Sequence, residues 1–168
     1  MRKLGLISVL AKALAGSAFG LCLFTAPSLA ATTTTTFSVT ATVQATCLIS
    51  ANTLAFGTYT GVQIAATTTL QVTCTNTTPY NVGLNPGLGS GATVTSRKMT
   101  GPASATLNYA LYQDSPHTIN WGQTVSTDTV AGTGNGSAQT LTVYGLLAAG
   151  QYPAPGAYSD TITATVTY

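Results

Sequence analysis

Tyr158-Ser159-Asp160-Thr161-Ile162-Thr163-Ala164-Thr165-Val166-Thr167-Tyr168 decides the reading of this chain. Apolar and polar residues alternate through it, the period of a strand with one face buried and one face wet. The chain stops while the alternation is still running. A sheet edge is ordinarily closed by a turn, a helix or charged residues, so the expectation is that this strand borders an unfilled edge. A second alternation stands near the other end, Phe37-Ser38-Val39-Thr40-Ala41-Thr42-Val43-Gln44-Ala45, beside the low-complexity run Thr32 to Thr36. One chain with a spare strand and a vacant edge is expected to be a polymer subunit.

The first thirty residues read as a leader. Arg2 and Lys3 open a positive segment, Ala13 to Phe24 form an apolar stretch, and Ser28-Leu29-Ala30 supplies small residues where a signal peptidase cuts. Cleavage is expected after Ala30, leaving about 138 residues, the size of one domain. The apolar stretch is shorter than a membrane span needs, and the context of Cys22, with Leu21 before it, does not favour lipidation. An exported protein without membrane insertion is expected. Removing the leader takes the formal charge from +2 to −1, with Arg97 and Lys98 against Asp114, Asp128 and Asp160. Two adjacent cations cannot neutralise a row of phosphates, which disfavours a nucleic-acid partner. Charged residues make up only 5% of the chain, far below the usual quarter. A surface so nearly neutral is poorly protected against self-association.

Cys47 and Cys74 remain after processing. In an exported chain an even pair reads as one disulfide, and a loop of this length stabilises by roughly 3–4 kcal/mol in the chain-entropy account. A metal centre is disfavoured, because one histidine and three aspartates do not supply the ligands. No cofactor is expected. Strand signals recur between Gly, Pro and Asn clusters: Thr53–Tyr59, Thr68–Cys74, Tyr80–Leu84, Leu107–Tyr112 and Gln139–Gly145. Leu107–Tyr112 is apolar on both faces and reads as a central strand. Gly87–Thr93 and Gly132–Gly136 read as loops, and Pro153 and Pro155 punctuate the approach to the last strand. No segment sustains a helical period. Many short strands with Gly/Pro-rich turns imply an all-β fold, an immunoglobulin-like β-sandwich in preference to a small barrel.

Little in the composition supports enzyme chemistry. Asp114-Ser115-Pro116-His117 brings an acid, a hydroxyl and an imidazole together, but a proline-restricted stretch of this kind reads as a turn capped by its own side chains. Three carboxylates are few for a glycosidase pair, and no Gly-rich loop precedes a helix to cradle phosphate. Trp121-Gly122 and Tyr144-Gly145 read as packing positions rather than sugar platforms. Arg97-Lys98 reads as a solvated loop doublet.

Eight segments carry a resemblance: Cys47-Leu48-Ile49-Ser50, Leu54-Ala55-Phe56-Gly57-Thr58-Tyr59, Val72-Thr73-Cys74, Arg97-Lys98-Met99, Leu107 to Tyr112, Trp121-Gly122, Thr142 to Gly145, and Gly156 to Thr161. In this order and spacing the chain, from about Phe37 to Tyr168, resembles the spore coat protein U domain family. That family includes the subunits of archaic chaperone–usher pili of Gram-negative bacteria. The resemblance implies an immunoglobulin-like domain lacking its final strand. A periplasmic chaperone fills the groove first, and the N-terminal extension of the next subunit replaces it at an outer-membrane usher. Carried onto this chain, residues 31–46 would be the donor extension and 47–168 the pilin domain, with Phe37, Val39, Ala41 and Val43 as donor plugs. Ile162, Ala164, Val166 and Tyr168 would line the acceptor groove and meet the chaperone, with the Tyr168 carboxylate as a chaperone anchor by analogy. The boundary of the donor strand stays open, because the alternation continues into Cys47. The implied function is a structural subunit of an adhesive cell-surface pilus, made of copies of itself joined head to tail. A spore or cell-surface coat protein of the same family is the alternative, and a self-complete secreted carbohydrate-binding β-sandwich is a third.

Overall fold

A computed structural model describes residues 29–168. The leader expected over residues 1–30 therefore lies, except for Leu29 and Ala30, outside the described residues. The chain divides into two units at Thr40 and Ala41. The described part of the first, residues 29–40, carries no strand. The second carries eight strands and a single 3-10 turn, Pro102–Ser104, with no α-helix among the described residues.

The eight strands are β1 (Cys47–Ala51), β2 (Ile64–Cys74), β3 (Pro79–Leu84), β4 (Arg97–Thr100), β5 (Thr106–Tyr112), β6 (Val130–Thr133), β7 (Gln139–Leu147) and β8 (Ala164–Thr167). They form two antiparallel sheets, one ordered β1-β2-β7-β5-β4 and the other β6-β3-β8. Alternate residues are buried along β5 and in the C-terminal parts of β2 and β7. Leu70, Val72 and Cys74 of β2, Leu107, Tyr109 and Leu111 of β5, and Val143 and Leu147 of β7 face one core with Tyr80, Val82 and Leu84 of β3. This is the all-β immunoglobulin-like sandwich expected from the alternation, because two half-apolar sheets bury their apolar faces only against each other. The Cys47–Cys74 disulfide is formed and links opposed residues of β1 and β2.

Several local expectations are corrected. Thr53–Tyr59 is not a strand. Gly57 lies at φ +76, outside the extended region, so the alternation that puts Leu54 and Phe56 inward breaks before Tyr59, which also packs on the core. Phe37–Ala45, by contrast, forms no strand in the single chain, which leaves the expectation of a strand donated to another copy as it stood. β6 starts before the stretch read as a glycine-rich loop and takes its first two residues, Gly132 and Thr133, into the strand. Gly132 is needed there, since a Cβ would run into the Tyr80 ring. The last strand occupies only Ala164–Thr167, because Ser159 bridges Thr100 and the residues between cross from one sheet to the other. Arg97 is not a solvated residue but is fully buried in β4. β5 is central as expected, between β4 and β7.

Candidate functional site

An open apolar cleft of about 1190 Å³ enters the sandwich between two irregular walls, residues 51–61 after β1 and residues 151–164 before β8. Leu70, Leu84, Leu107, Leu111, Val143 and Leu147 of the two inner sheet faces line it. Leu54 and Phe56 from the first wall pack against this lining. A Cβ at Gly145 would meet Leu54 at 2.7 Å and Phe56 at 2.9 Å, so the missing side chain in β7 is what admits them. The Phe56 ring meets Tyr109 edge to face at 6.0 Å. The sequence held a signal for this wall, the Leu54-Ala55-Phe56 alternation, but it read equally well as a strand.

Polar clips hold both walls. The Tyr59 hydroxyl donates to the Ala148 carbonyl at 2.7 Å and accepts from the Gln151 backbone N–H at 3.1 Å. Gln151 in turn joins Asn108 through both ends of its amide. Asp160 anchors the second wall, accepting from the Tyr109 hydroxyl at 2.7 Å and from the backbone N–H groups of Leu88 and Thr161. Burial, followed by the hydrogen bond to Asp160, pushes the Tyr109 phenol far above its ordinary range. Asn85 accepts from the Thr163 and Gly87 backbone N–H groups, fixing the approach to β8.

Arg97 sits beneath this wall. Its guanidinium donates to four carbonyls, those of Asn85 at 2.9 Å, Val94 at 2.6 Å, Leu84 at 3.0 Å and Trp121 at 2.7 Å. Burial pulls its pKa down, while the nearby Tyr109, Asp160 and Asp128 push the other way. Sequence reasoning missed this role because a basic doublet looks the same whether one or neither member is buried. Trp121 is a core residue, 1% exposed, with its indole N–H on the Val82 carbonyl at 2.8 Å.

The acceptor residues named from sequence divide. Ile162, Ala164 and Val166 are half-buried and pack on the core, and Ile162 and Ala164 line the cleft, whereas Tyr168 is 58% exposed. β8 pairs with β3 through Val82 opposite Val166 and Leu84 opposite Ala164. Its other edge has no strand partner among the described residues. Of the donor residues, Phe37, Val39 and Val43 are 85%, 82% and 86% exposed. Ala41 is exposed as well.

The acid, hydroxyl and imidazole of residues 114–117 do not converge on one another. The Asp114 carboxylate accepts from the Thr118 and Ile119 backbone N–H groups and from the Thr118 hydroxyl, which lowers its pKa, the hydroxyl bond foremost. The His117 ring instead lies against Tyr112 and Tyr144. No three His, Cys, Asp or Glu side chains gather as a metal site among the described residues. No helix among those residues is long and apolar enough to cross a membrane.

Comparison with known proteins agrees with this geometry. Protein U of Myxococcus xanthus is 37% identical over 159 residues, covering 84% of this chain and 88% of the relative. A solved chaperone–tip adhesion subunit pre-assembly complex from the archaic chaperone–usher Csu pili of Acinetobacter baumannii shares the fold, with a TM-score of 0.57 and 22% identity. The match covers 76% of this chain and 41% of that one. The spore coat protein U domain matches residues 33–165, nearly all of the described chain, and the protein belongs to that family.

Proposed function

We propose that this chain is a structural subunit of an adhesive surface pilus, polymerised when the N-terminal extension of one copy enters the cleft of the next. The observation that carries the reading is the unpartnered edge of β8 beside an open apolar cleft. A strand added there gains main-chain hydrogen bonds from β8 and buries alternate side chains between the sheets. Residues 31–46 supply a candidate donor whose apolar side chains are exposed in the single chain. Burying Phe37, Val39 and Val43 contributes on the order of 5–8 kcal/mol before the costs of ordering. Ala41 is a small plug and calls for a shallow place in the cleft.

A periplasmic chaperone would hold the cleft filled before assembly, and an outer-membrane usher would exchange its strand for that of the next subunit. The pilus fold of the Acinetobacter complex, itself a chaperone-bound subunit, supports the chaperone step. Family and fold alike are those of structural proteins, and the chain is not an enzyme. The name of the family favours a second reading, a cell-surface or spore coat built by the same exchange. Electron microscopy of the assembled material separates fibres from a continuous layer.

The test compares the exported chain with a version lacking Ala31 to Val43, prepared without a chaperone and run on gels without boiling. Ladders from the full chain and none from the shortened one are expected. Soluble, stable monomers of both would sink the reading and leave a self-complete domain.

A further inference from the structure

Tyr112 and Tyr144 stand directly opposite each other on β5 and β7. Their strand neighbours Leu111, Val143 and Gly145 are buried in the core, so the two tyrosines lie on the other face of the sheet, away from the cleft. Both are half-buried. His117 lies edge-on to each, with ring centroids 5.2 Å from Tyr112 and 6.5 Å from Tyr144. Its backbone is left-handed, φ 59, an uncommon conformation for a non-glycine residue, though one that histidine enters more readily than most. The turn is held by the Asp114 carboxylate, which gathers Thr118 and Ile119, and by the His117 backbone N–H, which donates to the Asp114 carbonyl at 3.1 Å.

A separate cavity of about 200 Å³ adjoins Tyr144. It opens where pairing of β5 with β7 ends at Tyr112 and Tyr144, leaving Thr140 and Thr142 without a β5 partner. Gln113, Thr140, Thr142 and Tyr144 give it a polar side, and Trp121 and Leu141 an apolar one. Both hydrogens of the Gln113 amide are committed, to the Asn120 and Asp128 carbonyls, so its Oε1 is left to accept from a ligand. Tyr59, Tyr109 and Tyr158 all donate their hydroxyls to partners in the fold. Those of Tyr112 and Tyr144 make no hydrogen bond among the described residues.

We propose that this cavity and its aromatic rim bind one neutral hexopyranose ring. Among the described residues no charged side chain lines the cavity. Of the two carboxylates nearby, Asp114 is saturated by its own loop, and Asp128, whose backbone carbonyl holds Gln113, accepts from the Thr124 backbone N–H, so an uncharged ligand is favoured. A purely apolar ligand would strand the Thr142 and Tyr144 hydroxyls and the Gln113 Oε1. The Thr140 hydroxyl is already taken up by Gln71, to which it donates and from which it accepts. A sugar offers what remains, hydroxyls for Thr142 and Gln113 and an apolar C–H face for the tyrosine ring. The volume lies below the ~300 Å³ at which drug-sized ligands begin to fit, and suits a single ring. The site is independent of the cleft and of strand exchange.

The experiment is saturation-transfer NMR on the exported chain in the assembly it forms, with methyl glucoside, methyl galactoside, methyl mannoside and N-acetylglucosamine as separate probes at millimolar concentration. Transfer to the ring C–H protons of at least one probe is expected. It should be lost in Tyr144→Leu and weakened about tenfold in Thr142→Val, which keeps side-chain shape while removing one hydroxyl. No transfer from any probe overturns the proposal, as does transfer unchanged in Thr142→Val. Because the Thr142 variant leaves the aromatic cluster intact, the test stands even if Tyr144→Leu folds poorly.

Discussion

At the scale of single residues, Arg97 shows how a small number of charges is spent in a nearly uncharged protein. Its four carbonyl partners come from the end of β3, the turn before β4 and the loop at Trp121, so one side chain closes three chain segments that have no mutual backbone ladder. Truncation leaves those acceptors buried without donors, at about 1–3 kcal/mol for each that water cannot reach. Arg97→Leu is therefore expected to cost at least 3 kcal/mol and to lower the melting temperature by about 10 °C, read by calorimetry. Arg97→Lys should recover only part of this, since one ammonium cannot reproduce the planar fork. Tyr109 gives a pH dependence. Its folded pKa lies above the ordinary 10.0, so its contribution to stability is full below pH 10 and is lost as the pH rises beyond it. Over that alkaline range the loss approaches about 1.4 kcal/mol per pH unit. Tyr109→Phe should flatten this part of the stability profile while lowering stability at neutral pH. Asp114 acts in the opposite sense: its pKa is lowered, so the order it gives the 114–119 loop is lost as acid takes the pH below about 3.8. Loss of protection of the Thr118 amide in hydrogen exchange measures it.

At the scale of elements, the alternations in the sequence were sound guides to apolar faces and poor guides to pairing. β2, β3, β5 and β7 fell where the period of two placed them, because each has a neighbour on both sides or a face on the core. Thr53–Tyr59 has the same pattern and no ladder, since Gly57 breaks it and the wall is held by side-chain clips instead. Gly145→Ala tests that wall: its methyl group would displace Leu54 and Phe56. A loss of about 1–3 kcal/mol is expected in chemical denaturation. For the donor extension, Val39→Asp should abolish ladders and fibres while leaving export unchanged, because a carboxylate cannot enter an apolar cleft without a partner. Fibres from that strain would refute Val39 as a plug. A few polar residues appended after Tyr168 are expected to block surface assembly, measured as fibre yield.

At the scale of the whole molecule, stability rests on a modest core and the Cys47–Cys74 disulfide, to which the proposed function adds a strand held in the cleft. Cys47 and Cys74 join an edge strand to its neighbour, and replacing both with serine is expected to cost 2–5 kcal/mol, seen as a lower denaturant midpoint. An open cleft of about 1190 Å³ leaves apolar side chains without partner atoms. The isolated subunit should therefore unfold well below the assembled one, and a synthetic peptide of residues 36–45 should raise its melting temperature in a concentration-dependent way. A peptide with aspartate at the Val39 position should not.

The all-β class, the disulfide and the two alternating segments were legible in the sequence, because strand period and cysteine parity are local or compositional properties. The sequence did not determine that Arg97 is buried, that Asp160 clips the approach to β8, or that Tyr112, Tyr144 and His117 converge. Those facts depend on which residues distant in the chain are brought side by side. That β8 keeps one edge unpaired among the described residues, beside an open cleft, emerges from the assembled sheets alone, since a vacant edge is a property of a sheet and not of any strand in it.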